Sequence, residues 1–119
     1  MDPINKETIQ TILELSDGDN CVLLELLQSF LKDAKELSEE INTAVHNLDW
    51  EKLQFYVHTL KGLSSTIGAK PLFELCKKLN DDLKSGNRMT AVSLANSVYT
   101  KYQELEEYIK SNYQIEYEA

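Results

Sequence analysis

Apolar residues recur at alternating steps of three and four along most of this chain, and strict alternation of the strand type is absent. Leu27, Phe30, Ala34, Leu37, Ile41, Ala44 and Leu48 form one such series, which predicts a long helix from about residue 20 to 47. Trp50, Leu53, Val57, Leu60 and Ile67 form a second. Leu72, Leu75, Cys76, Leu79 and Leu83 form a third, and Ala91, Ala95, Val98, Tyr102, Leu105 and Ile109 a fourth, over about residues 89–111. The punctuation agrees with the periodicity. Asn5, Asp19 and Asp49 are good N-caps, and Ile4 and Ile9 are spaced as a hydrophobic staple around a short helix at about residues 6–15. Ser16-Asp17-Gly18-Asp19 and Ser85-Gly86-Asn87 read as breaks, Gly68 as a left-handed stop, and Pro71 as a first-turn residue. The expected fold is all-α: an antiparallel up-down-up-down four-helix bundle over about residues 20–111, with the short N-terminal helix lying across one end. The tail at residues 113–117 is expected to fray.

One position breaks the economy of this pattern. At about 100° per residue, His58 falls roughly 130° from the centre of its helix's apolar stripe and should face water. Lys61 and Gly62 follow at the two spacings that share its face. A glycine inside an exposed helix costs about 1 kcal/mol relative to alanine, so that position serves something other than helix stability.

The chain has 119 residues, enough for one domain and one core, and too few to add a nucleotide-binding domain to a bundle. Its net charge of −8 argues against a sequence-independent grip on nucleic acid or anionic lipid and favours protein partners. Cys21 and Cys76 belong to no ligand cluster and read as reduced core residues of a cytoplasmic protein. With only two histidines and two cysteines and no ligand spacing, no metal site is expected. No apolar run approaches the ~18 residues that span a bilayer, and the N-terminus does not have the form of a signal peptide.

The segment His58-Thr59-Leu60-Lys61-Gly62-Leu63-Ser64-Ser65-Thr66-Ile67-Gly68-Ala69 resembles the signature of histidine-containing phosphotransfer domains, in which H-x-[LI]-K-G is followed by small residues and a Gly-Ala pair. Leu63 departs from the alanine or serine common there and reads as a packing residue at the edge of the stripe. The resemblance implies a phosphocarrier without a nucleotide site or kinase activity of its own. His58 would accept a phosphoryl group from a receiver-domain aspartate, or from a hybrid sensor histidine kinase, and pass it to a response-regulator aspartate. Lys61 would offset charge on the phosphoryl oxygens, and Gly62 would spare the imidazole a crowding side chain and let the receiver's acidic pocket close over it. Mg²⁺ is expected from the partner receiver and no cofactor from this chain, which would act as a monomer.

Other residues follow from their position beside the histidine. Gln54 and Ser65 share its face and could bond imidazole or phosphate. Phe55 falls off the buried stripe, as a docking anchor or as packing under the N-terminal helix. Lys77 and Lys78 are candidates to border the site from the next helix, and Gly68 is expected to act as a helix stop rather than a contact. Two other functions compete. A kinase dimerisation domain would normally place an acidic residue after the histidine, where Thr59 stands. The alternative from a different class is an acidic helical interaction bundle without phosphotransfer.

Overall fold

The computed structural model describes residues 3–113 and is helical throughout, with no strand among them. Its helices are α1 (Lys6–Leu15), α2 (Asn20–His46), α3 (Trp50–Ile67), α4 (Lys70–Lys84) and α5 (Arg88–Tyr113). These boundaries lie within about two residues of those set by periodicity and caps. The expected tail lies outside the described residues, apart from Tyr113, which closes α5.

The ends form where local chemistry predicts. Asn5 accepts from the Glu7 and Thr8 amides, Asp19 from Cys21, and Asp49 from Lys52, so three helices start on a side-chain cap. Ile4 and Ile9, on either side of the first cap, are both buried. At the other end of α3, Gly68 adopts φ +75°, and the Ala69 amide reaches back 2.8 Å to the Ser64 carbonyl. The close of α2 has the same geometry with a less suitable residue: Leu48 takes φ +54°, while the Asp49 amide bonds the Ala44 carbonyl at 2.9 Å. Leu48 therefore leaves the helix, and it is 61% exposed rather than the last member of the α2 stripe.

Each long helix packs on two others: α2 on α3 and α5, α4 on α3 and α5. The core between them holds Leu27, Leu31, Ile41, Leu53, Val57, Leu60, Leu79 and Ile109. Tyr102 is buried among them with its hydroxyl satisfied, donating 3.0 Å to the Leu31 carbonyl. Periodicity of apolar residues could not show the polar members of the core, Ser38, Ser64 and Asn80. Ser64 solves its burial locally by donating 2.8 Å to the Leu60 carbonyl one turn back.

Cys76 is buried as expected, but Cys21 is exposed. Cys21 precedes Leu23 by two positions, which turns it about 200° around the helix from that core residue. The Cys76 thiol is pushed up to about 12 by burial, an effect that the Lys61 ammonium partly offsets.

The short helix α1 packs on α2 and is fastened to the far end of α3 as well. The Asn5 amide donates to the Gly68 carbonyl at 2.7 Å. Gly68 is the left-handed stop that the sequence predicts, and α1 packs so closely there that a Cβ would lie 2.6 Å from the Thr8 hydroxyl oxygen.

Candidate functional site

His58 sits in the middle of α3, exposed, on the wall that faces away from the core residues Leu53, Val57 and Leu60. It makes no hydrogen bond and no ion pair with any described residue, leaving both ring nitrogens to whatever approaches. Its helical neighbours are those the spacing predicts: Gln54 and Phe55 one turn before, Lys61 and Gly62 one turn after. Gln54, Gly62 and Ser65 are exposed with it.

Lys61 is half-buried, and its charge is felt at the Cys76 thiol of α4. Lys61 thus stands on the α4 side of α3, one turn beyond His58 along the helix. It forms no ion pair with a described carboxylate, so its charge is available to an incoming anion.

Gly62 changes the steric argument. A Cβ built there meets nothing within 4 Å, so alanine would crowd no side chain of this protein, the imidazole included. The backbone at this position is open to solvent. Its carbonyl is occupied, accepting from the Thr66 hydroxyl at 3.0 Å.

Phe55 is 65% exposed, which decides against packing under α1. Its ring forms a T-shaped pair with that of Tyr56, with centroids 5.5 Å apart. Lys77 and Lys78 are both exposed on α4. Phe73 and Glu74 of that helix line a pocket together with Ser65, which marks the α4 edge next to α3. Lys77 continues that edge at the next turn, and Lys78 points about 100° further round.

The sequence reading missed the other flank. Between α2 and α3 lies a groove of about 400 Å³ with Leu37, Tyr56 and Leu63 in its floor and Asp33, Glu36 and Glu40 along its α2 side. The three carboxylates stand at steps of three and four, the signal that could have put them on one face. Among the described residues no group of three or more histidine, cysteine or carboxylate side chains is set to hold a metal ion. No described helix is long and apolar enough to cross a membrane.

A helical wall that presents an unpaired imidazole between an ammonium group and an open backbone patch defines a class. The chain belongs to the Hpt domain family, which matches residues 25–111. Membership supports a phosphotransfer role in two-component phosphorelays, as a phosphocarrier rather than a kinase. Among solved structures, it is similar to histidine-containing phosphotransfer protein B (HptB) from Pseudomonas aeruginosa PAO1, with a TM-score of 0.83 and 22% identity over 94% of this chain and 95% of that one. It is also similar to a rice protein described as a histidine-containing phosphotransfer protein, with a TM-score of 0.79 and 24% identity over 94% of this chain and 80% of that one. At these identities the likeness is one of fold. Among curated proteins none matches the chain.

Proposed function

We propose that the chain is a monomeric phosphorelay intermediate, a single domain in which His58 is the phosphoacceptor. Its unprotonated ring nitrogen attacks the phosphorus of an aspartyl phosphate on a receiver domain, in line with the bond to the carboxylate oxygen. The N–P bond forms as that P–O bond breaks, and the aspartate leaves as a carboxylate. The reverse exchange hands the phosphoryl group to the aspartate of a response regulator. A hybrid sensor histidine kinase is the upstream source in this reading, and any Mg²⁺ belongs to the receiver. Lys61 supplies positive charge to the phosphoryl oxygens as charge shifts between donor and acceptor. In this reading Gln54, one turn before His58, and Ser65, two turns after it, donate hydrogen bonds to the docked partner from the same face, and Phe55 anchors that partner beside them.

The observation that carries this reading is the exposed, unpartnered His58 imidazole with Lys61 and the open Gly62 backbone one turn away, in a member of the Hpt domain family. The presentation depends on rigid placement, for which an up-down-up-down course of the four long helices suffices. Connections of two or three residues support that course, as does the Arg88 guanidinium 4.9 Å over the Trp50 ring, which joins the first residues of α3 and α5 at one end.

The test is to mix the purified chain with a panel of receiver domains phosphorylated beforehand with acetyl phosphate. Acid-labile, alkali-stable label should appear on the chain and vanish in His58→Gln. Lys61→Ala should slow transfer while leaving the helical circular dichroism intact. Label that persists in His58→Gln would overturn the site, and a chain that neither receivers nor a small phosphoryl donor label would favour the acidic interaction bundle instead.

A further inference from the structure

The surface around His58 is electrically lopsided. Successive positions on α3 run outward from the α2 groove in the order Thr59, Phe55, Gly62, His58, at turns of roughly 40°, 20° and 40°. Lys61 lies roughly 60° beyond His58, on the α4 side. Thr59, which borders the groove, is the next residue in the chain after His58, so groove and imidazole are level along the helix. On one flank of the imidazole there is therefore an ammonium group, and on the other an apolar trough edged with carboxylates. Among described residues, Asp33, Glu36 and Glu40 form no ion pair, while nearby Lys35 is paired to Glu39 at 4.0 Å. Three unneutralised charges beside an exposed Phe55 and an open floor of Leu37, Tyr56 and Leu63 suit an occupant that is apolar at its centre and cationic at its rim.

We propose that this groove determines which receivers the chain serves, by docking a receiver surface whose apolar centre is flanked by lysine or arginine side chains. The inference rests on the phosphotransfer reading and deepens it by naming the chemistry of the partner's contact surface. The two flanks also fix the partner's direction. Its phosphoaspartate end is drawn to Lys61 and held off by the α2 carboxylates, and its basic end is drawn to the groove. Only one of the two antiparallel placements across α3 satisfies both.

The experiment uses the full chain, a neutralised triple Asp33→Asn, Glu36→Gln, Glu40→Gln, and a control triple of equal charge change placed elsewhere, Glu14→Gln, Glu104→Gln, Glu107→Gln. Each is first treated with phosphoramidate, a small donor that needs no docking surface, and all three should label on His58 at equal rates. Each is then given phosphorylated receivers over a range of KCl. For receivers that serve the wild type, the neutralised triple should lose about 10-fold in kcat/KM at low salt, and its salt dependence should flatten, because rim charges act chiefly on the rate of encounter. The control triple should keep both. Equal loss in the two triples, or no loss in the groove triple, overturns the proposal. If phosphoramidate labels His58 but no receiver does, the docking proposal fails and the phosphoacceptor stands. If neither labels it, the phosphotransfer reading fails first.

Discussion

The backbone amide of Asn5 donates to the carbonyl of Gly68 across 2.7 Å, tying the start of α1 to the end of the helix that carries His58. The same glycine stands against Thr8, where a Cβ would come within 2.6 Å of the hydroxyl oxygen and 2.7 Å of the threonine Cβ. Gly68→Ala therefore meets two penalties, left-handed strain of about 1–2 kcal/mol and overpacking of about 1–3 kcal/mol. Urea unfolding should show a loss of at least about 2 kcal/mol, with increased amide exchange in α1. A variant within about 0.5 kcal/mol of wild type would show that the junction yields freely.

Leu48 occupies a comparable left-handed position at φ +54° with its side chain 61% exposed, so it has the strain without much burial to offset it. Relief of about 1–2 kcal/mol exceeds the chain-entropy cost of a new glycine, about 0.5–1 kcal/mol. Leu48→Gly should raise stability by roughly 0.5–1 kcal/mol, seen as a higher urea midpoint at unchanged m-value. A lower midpoint would mean that the leucine's remaining contacts outweigh its strain.

Gly62 lies inside α3 with open space where a Cβ would be. Gly62→Ala should therefore stabilise the chain by about 1 kcal/mol, the helix-propensity difference. Labelling of His58 by phosphoramidate should be unchanged in that variant, whereas Gly62→Gln should slow transfer from receivers without loss of helicity. Receiver transfer at the wild-type rate in Gly62→Gln would remove the clearance role.

The two thiols should behave oppositely. A thiol reagent at pH 8 should modify Cys21 rapidly in the native chain and reach Cys76 only in denaturant, since the first is exposed and the second buried. Fast modification of both would contradict the packing of α4.

Burial raises the Cys76 thiol from 9.0 to about 12, with Lys61 acting weakly against the shift. The folded state thus keeps a proton that the unfolded chain loses. The contribution is fully present below pH 9.0 and falls away as pH climbs toward about 12, at a slope of at most about 1.4 kcal/mol per pH unit. In alkaline unfolding series, Cys76→Ala should start less stable because of the cavity and show a shallower decline over that window. Parallel curves for the two proteins would rule out this titration.

Much of the site is legible in the sequence because it depends on one helix at a time. A residue's direction relative to its own helix's stripe follows from the 100° step, and that is enough to turn His58, Gln54 and Ser65 outward. The caps at Asn5, Asp19 and Asp49 and the stop at Gly68 are equally local, since their hydrogen bonds close within a few residues. Leu48 and Cys21 show where such reading fails. Leu48 continues the apolar series two residues past the end of α2, and Cys21 has the residue type of a core position although its angle opposes Leu23.

What only the tertiary structure decided is which surfaces meet. Periodicity gives a helix a face but no neighbour, so it could not bring Thr8 onto Gly68, place Lys61 within electrostatic reach of Cys76, or join Leu37 of α2 to Tyr56 and Leu63 of α3 as the floor of one groove. The imidazole's outward direction was written in the spacing of α3. The charged flanks on either side of it exist only because α2 and α4 pack against that helix, and contacts between residues distant in sequence leave no mark in the periodicity of either partner.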